Sequence, residues 1–323
     1  MLKRLYLVKY NKLLRVYYLY AYELSTSFMQ KSKTLRSLWY KLSSNQRYTI
    51  RKWYYLPIDT YDLLLGKRHP MVPPRGYIYT GSSANASAYL EQGLYQLELL
   101  QQTVALKPNH KVLDIGSGIG RTAIALTQFL NNGGSYDGFD VVPKGVDWCN
   151  QKVFSDTAPF RFKYIPIYND LYNNSGEKAC TFVFPYQNHS FDVVFSFSVF
   201  THMQIEEIEN YFREIHRVLD DHGSCFSTFF TYTSEEEAHI HQHPTFPFPI
   251  VKGQYRLMND NVKSGNIAIH QDLLTQMLHR SGLEVVEIIN GNWKSTEAQN
   301  QPIEYQDIVV FRKKTAAASG PLT

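Results

Sequence analysis

The sequence is poor in cysteine. Of its 323 residues only Cys149, Cys180 and Cys225 carry a thiol, an odd number at wide spacing. That argues against a disulfide framework and leaves no paired thiols for a zinc cage. It suits a reducing compartment. Long apolar runs are missing as well: no window of about 18 residues is both apolar and uncharged, so no spanning helix is expected. Lys9, Lys12 and Arg15 interrupt the apolar core that a secretory leader would need. The cytoplasm is therefore the expected compartment. Charged residues are also few, at 19%, whereas 44% of the chain is hydrophobic and 15% aromatic. This composition excludes a disordered chain and is enough for one large core or two smaller ones.

Acidic residues are nearly absent from the first 58 positions, which hold twelve Lys or Arg against a single acid, Glu23; the rest of the chain holds 21 bases and 28 acids. The overall charge of +4 hides that asymmetry. Residues 2–24 read as a helix, with Tyr6, Tyr10, Leu13, Tyr17, Tyr20 and Leu24 on one stripe and Lys9, Lys12 and Arg15 on another side. Such a helix packs on the body or on a partner subunit, or lies peripherally on an anionic membrane surface. No recognised motif supports a nucleic-acid arm.

Residues 1–60 are thus expected to form a basic, aromatic, helical extension. A connector with four prolines between 56 and 81, then a helix over 86–106, should make a second segment, 61–106, covering a cofactor site. From 107 to 314 short apolar runs alternate with helical patterns: "KVLDIG", "RTAIALTQFL", "YDGFDVV", "PKGVDWCNQKVF", "FRFKYIPI", "FDVVFSFSVF", "QIEEIENYFREIHRVLD" and "GSCFSTFFTY". This alternation predicts an α/β fold, a doubly wound parallel sheet covered on both faces. A polar, His- and Pro-rich stretch over 233–266 reads as a loop. A helix follows, then two strands without a helix between them, which suggest a terminal hairpin. The tail 315–323 is expected to be disordered.

The first strand runs into "DIGSGIGR", where Gly116, Gly118 and Gly120 form G-x-G-x-G. In doubly wound sheets ligands bind beyond the carboxyl ends of the strands. Glycine there lets the backbone turn tightly and lets a ligand approach the main chain. The helix beginning near Arg121 offers unpaired N–H groups and a positive dipole end. The dinucleotide fingerprint needs a third glycine where this chain has Arg121, so that match fails. Asp114, two residues before the first glycine, can hold an ammonium group but would repel a pyrophosphate. Asp140 ends the second strand, 24 residues after Gly116, and can accept hydrogen bonds from both hydroxyls of a ribose. An amino acid at one end and a ribose at the other describe S-adenosylmethionine better than NAD.

With "GFDVV", "FDVVFSFSVFTHM", "REIHRVLDDHGSCFSTFF" and "QDIVVFRK" added, the chain from about 107 to 314 resembles a class I S-adenosylmethionine-dependent methyltransferase. More loosely, "PPRGYIYTG" and "GFDVVPKGVDWC" resemble a bacterial subgroup acting on small molecules or glycans. The resemblance implies a Rossmann-like, seven-stranded sheet whose last strand is antiparallel. It implies that Asp114 and the loop Gly116, Ser117, Gly118 and Gly120, with Arg121 at its exit, hold the methionine end. It places Asp140 on the ribose, Val141 and residues 168–170 around the adenine, and Ser196, Phe197 and the residues to Phe200 below the sulfonium. Family members often have an acid after the third strand; here "IPIYND" offers Asn169 or Asp170 instead.

If the acceptor is a hydroxyl, a base must take its proton. His202, just after the fourth strand, is the candidate; the alternative is that it orients the loop or caps the next helix. His239, His241 and His243 alternate, and with Glu235, Glu236 or Glu237 they could bind a metal, but the polar composition favours a solvated loop and no metal is assigned. The N-P-P-Y tetrapeptide of amino-group methyltransferases is absent from the end of the fourth strand, which reads "SFSV". The expected activity is therefore methyl transfer from S-adenosylmethionine to a small molecule or glycan, at oxygen. The alternatives are a methyltransferase-like binding subunit without catalysis and an NAD-dependent oxidoreductase.

Overall fold

The computed structural model describes residues 42, 44–78, 85–168, 176–244, 246–260, 265–294 and 304–314. The expected helix over 2–24, Asn169 and Asp170, and the tail 315–323 lie outside these residues. Contacts divide the chain into two compact units, Met1–Gln92 and Gly93–Thr323.

In the first unit the helix α1 spans Ser44–Leu64 with Pro57 inside it. The sequence suggests a break there, since an internal proline removes one helical hydrogen bond. The helix nevertheless continues, and its flank beyond the proline is pinned by ion pairs. Asp59 accepts the Arg75 amide at 3.0 Å and its guanidinium at 2.7 Å, and Asp62 accepts the other arm of the same guanidinium at 2.5 Å. Gly76, in the 3₁₀ turn Arg75–Tyr77, backs directly onto α1: a Cβ there would lie 2.6 Å from Lys52 Cα. Helix α2, Ala86–Thr103, runs across the boundary between the units.

The second unit is built on one sheet. Strands β1 (Lys111–Ile115), β2 (Ser135–Asp140), β3 (Phe160–Tyr164) and β4 (Phe191–Ser196) alternate with α3 (Arg121–Leu126) and α4 (Pro143–Lys152). Pro143 stands in the first turn of α4, where a missing N–H costs nothing. Helix α5 (Ile205–Val218) leads into the long strand β5 (Leu219–Tyr232). Its stripe Ile208, Tyr211, Phe212 and Ile215 is buried against Leu113, Phe139, Phe229 and Phe311. Burying each such side chain contributes about 1.5–3 kcal/mol.

The order β3-β2-β1-β4-β5 is parallel throughout. Beyond it β5 divides its hydrogen bonds. Residues Ser224–Phe229 pair antiparallel with β10 (Asp307–Lys313), which pairs antiparallel with β9 (Leu283–Ile289). These seven strands match the expected sheet with its antiparallel last strand. The end of β5, Phe230–Tyr232, pairs instead with β8 (Ile267–His270), which carries β7 (Tyr255–Leu257) and β6 (Ile250–Val251).

This three-stranded ribbon is the main difference from the sequence reading, which takes 233–266 as loop. Its strands are two, three and four residues long, too short for alternation to show among polar neighbours. A short helix, α6 (Glu237–His241), precedes them and α7 (Gln271–Arg280) follows. His239 and His243 pack edge to face, their ring centres 5.3 Å apart, while His241 Nδ1 lies 3.5 Å from the Arg256 guanidinium. Among the described residues no group of three His, Cys, Asp or Glu side chains is placed to hold a metal. Among them, too, no helix is long and apolar enough to cross a membrane.

The ribbon shares a second, smaller core with β5: Phe230, Tyr232, Ile240, Phe248, Ala268 and Trp293. Asp307, fully buried at the start of β10, ties this core to the sheet. Its carboxylate accepts the Gly291 amide (2.7 Å), the Thr231 amide (2.7 Å) and hydroxyl (2.8 Å) and the Trp293 indole N–H (2.9 Å), with Lys294 Nζ 3.7 Å away. A buried anion is tolerated when it is saturated in this way. Asp307→Ala strands four buried donors. It should lower the unfolding free energy by about 3–5 kcal/mol, read from urea unfolding curves; a loss under about 1 kcal/mol would contradict this reading.

Candidate functional site

The carboxyl ends of β1, β2 and β4 lie side by side, and the predicted residues gather there. Gly116, Gly118 and Gly120 have φ of +75°, +59° and +84°, the left-handed region that other residues enter at a cost. This winding turns successive amides toward β2. The Gly116 and Ser117 amides both donate to the Phe139 carbonyl at 2.9 Å, and the Gly118 amide donates to Asp140 Oδ2 at 2.8 Å. The other oxygen of Asp140 accepts the Val142 amide at 2.8 Å. One buried carboxylate therefore holds the loop after β1 and the turn after β2 together.

Space is tight around the loop. A Cβ at Gly116 would meet Val199 Cγ2 at 2.4 Å, and one at Gly120 would meet Cys149 Sγ at 2.9 Å. The first contact sets the segment after β4 against the glycine loop. The second seats α4 beneath it. Ser117 Oγ is buried and has no hydrogen-bond partner. Helix α3 has only six residues, so it contributes less of a dipole than the sequence pattern suggests. Arg121 Nε donates to Gln96 Oε1 at 3.2 Å, and the Thr122 hydroxyl reaches the same oxygen at 2.6 Å. The end of α2 is thus fastened to the exit of the loop, where Gly93 lets its backbone pass: a Cβ there would lie 2.5 Å from the Arg121 carbonyl.

Asp114 is 4% exposed, and the Tyr136 hydroxyl donates to its Oδ2 at 2.7 Å. Burial pushes its carboxyl up to about 7; the Tyr136 bond opposes the rise and the charge of Asp140 adds to it. Burial likewise holds the Tyr136 hydroxyl and the Cys149 thiol in their neutral forms, with the same carboxylates reinforcing the effect. Tyr136 reaches Asp114 because the residue between them on that face of β2 is Gly138. A Cβ at Gly138 would sit 2.7 Å from the Tyr136 oxygen and 2.9 Å from Ser117 Cβ.

At the end of β4, Ser196 is fully buried and its hydroxyl donates to Ser227 Oγ at 3.0 Å. Phe197 is half-buried against Phe195 and Phe226. Ser198 then takes φ of +58°. Its amide donates to Thr228 Oγ1 at 2.8 Å, while its hydroxyl and that of Thr228 both donate to Gln306 Oε1, at 2.9 and 2.7 Å. His202 ends the following 3₁₀ turn, Phe200–His202, half-buried. Helix α5 starts just beyond, where Glu207 accepts the Gln204 amide at 2.8 Å, the reach-back bond of a capping box. Val141 is half-buried and packs on the main core.

Over this arrangement, residues 113–227 match the family model described as a methyltransferase domain. That match spans 115 of the 323 residues. The donor set there fits S-adenosylmethionine: two buried carboxylates flank a bare main-chain loop, and they suit a ligand rich in donors and positive charge. Among solved structures the chain is similar to a TehB-like SAM-dependent methyltransferase from Corynebacterium glutamicum (18% identity, 69% of this chain and 88% of that one, TM-score 0.40). It is also similar to the CcbJ methyltransferase from Streptomyces caelestis (14%, 69% and 90%, 0.44). A third is the 1,6-didemethyltoxoflavin-N1-methyltransferase of Burkholderia thailandensis, solved with 1,6-didemethyltoxoflavin and S-adenosylhomocysteine (17%, 71% and 79%, 0.42).

Around the methyltransferase domain's loop, Tyr136, Gly138, Cys149, Val199 and Gln306 escape a reading of the sequence. Only Gly138 signals itself: a glycine inside an apolar strand marks a close approach. The others are ordinary apolar or polar residues whose partners lie on other strands.

The raised carboxyl of Asp114 makes stability pH-dependent. Below about 4 it is protonated in both folded and unfolded chains. Between about 4 and 7 the unfolded chain ionises first, so stability falls as pH rises through the folded value. Above that the penalty is constant. Asp114→Asn abolishes this loss, so the difference in unfolding free energy between wild type and variant should shrink or reverse by a few kcal/mol from pH 4 to pH 7.5 (~1.4 kcal/mol per pH unit). Parallel denaturant curves at the two pH values would show no such change if Asp114 ionised normally.

Proposed function

We propose that the methyltransferase domain transfers a methyl group to an oxygen of a small-molecule or glycan acceptor. The observation that carries the cofactor side of this reading is the Asp140 clamp, which presents a buried carboxylate beside a glycine loop fixed in left-handed turns. When bound, S-adenosylmethionine supplies a methyl group on a sulfonium, a good leaving group. Asp140 accepts the ribose hydroxyls. Asp114, poised near neutrality, balances the ammonium end. Gly116, Ser117, Gly118, Gly120 and Arg121 shape the cradle for that end, Val141 borders the adenine, and Ser196 and Phe197 close the floor. Asn169, outside the described residues, keeps its proposed place beside the adenine. The protein's main contribution is alignment of acceptor, methyl and sulfur.

His202 takes the acceptor proton. Its place after β4, on the edge where the glycine loop meets Val199, supports this role. A pyrophosphate would face Asp114 and Asp140 together, which disfavours a dinucleotide. A binding subunit without catalysis remains the second reading, and turnover decides against it.

Two measurements test the proposal. Titration calorimetry should show binding of S-adenosylhomocysteine and no binding of NAD. Asp140→Ala should weaken the former about 100-fold, the worth of two hydrogen bonds to a charged group; equal affinity in the variant would remove Asp140 from the site. For an acceptor found by screening sugars and phenols, His202→Gln should lower kcat by about 100-fold or more, with S-adenosylhomocysteine affinity unchanged. A fall of less than about threefold would exclude His202 as the base.

A further inference from the structure

Helix α1 is amphipathic the wrong way round for a helix of a water-soluble unit. Its inward side is polar: Arg51, Tyr55, Asp59 and Asp62 are half-buried, and Asp59 and Asp62 are bound by Arg75. At 100° per residue, Ile50, Trp53, Tyr54, Pro57, Ile58, Tyr61, Leu64 and, just past the helix, Leu65 fall on one arc facing away from that side. No charged residue interrupts this arc from position 50 onward. The arc is open to water: Trp53 is 67% exposed, Tyr54 72%, Tyr61 57% and Leu64 79%. An apolar arc about 22 Å long at 1.5 Å per residue, with three aromatics, is unlike the scattered single residues of an ordinary surface.

From this face we infer that α1 docks the protein on an anionic lipid bilayer. Charge selects the occupant. The first 58 residues hold twelve bases and one acid. Lys67 lies 5.2 Å from the centre of the Tyr61 ring. A second copy of the chain would bring two such basic segments together, whereas an anionic surface attracts them. A nucleic acid would answer the charge but leave Ile50, Leu64 and Leu65 in water. Trp and Tyr suit the headgroup level, with aliphatic side chains just below it. The ion pairs to Arg75 hold the polar side inward, so the apolar side is presented without rearrangement. This surface is independent of the methyl-transfer reading.

The test is co-sedimentation of the full chain with phosphatidylcholine vesicles, with and without phosphatidylglycerol, at low and high salt. The wild type should pellet with the mixed vesicles at least about tenfold more than with phosphatidylcholine alone, and less at high salt. Trp53→Ser/Leu64→Ser/Leu65→Ser should lose at least about tenfold in partitioning while keeping its far-ultraviolet circular dichroism. A conservative variant guards against misfolding: with Trp53→Phe, binding should persist while the quenching of tryptophan fluorescence by brominated lipid largely disappears. Three results would overturn the inference. One is no binding of wild type to anionic vesicles. Another is unchanged binding of the triple variant. The third is a wild-type dimer, seen by sedimentation velocity, that the triple variant abolishes.

Discussion

The carboxylate of Asp140 sits where three demands meet. Strand β2 has to end, the chain has to turn into α4, and the glycine loop after β1 has to be held in a conformation it would not keep alone. One oxygen satisfies the Val142 amide and the other the Gly118 amide. The Phe139 carbonyl, one residue earlier, takes the amides of Gly116 and Ser117. Removing this anchor leaves three left-handed glycines with little to hold them, because glycine gives up more conformational freedom on folding than any other residue. The carboxylate proposed to hold a ribose is therefore also the group that fixes the glycine loop.

A polar layer lies on the same face of the sheet beneath the loop. Tyr136 satisfies Asp114, Gly138 makes the room for it, and Cys149 packs under Gly120. Burying a carboxyl there is tolerated because the group is close to neutral, and a positive ligand would draw it toward its anion. The apolar cluster on the opposite face, Leu113, Ile115 and Phe139 against α5 and α7, supplies the stiffness that such a layer needs. At the far side of β5, Asp307 and Gln306 do for β10 what Asp140 does for β2. They gather donors from β5, from the loop after β4 and from the Trp293 turn, which ties the second core to the end of β4.

Much of the domain was legible because its signals are local. Apolar runs such as "VLDI" and "FDVVFS" declare strands buried on both faces. The stripe Ile208, Tyr211, Phe212 and Ile215 declares the helix between β4 and β5, and three glycines ahead of a helical pattern declare the tight left-handed turn after β1. Asp140 could be placed from its distance to Gly116, because one strand, one short helix and a turn fill that interval in this architecture. The antiparallel last strand came from family resemblance together with the absence of a helix before it.

What only the tertiary structure decided rests on pairings with no sequence spacing of their own. Tyr136 meets Asp114 diagonally across two strands. Val199 faces Gly116. Gln306 reaches Ser198 from more than a hundred positions away. The ribbon β6–β8 exists because the end of β5 runs past β10 and offers it an edge, which nothing in its polar residues announces. The outward turn of α1 is of the same kind. The periodicity that reveals an amphipathic helix is identical whichever face is buried, and only the pairing of Asp59 and Asp62 with Arg75 shows that the polar side went in and the aromatic side stayed out.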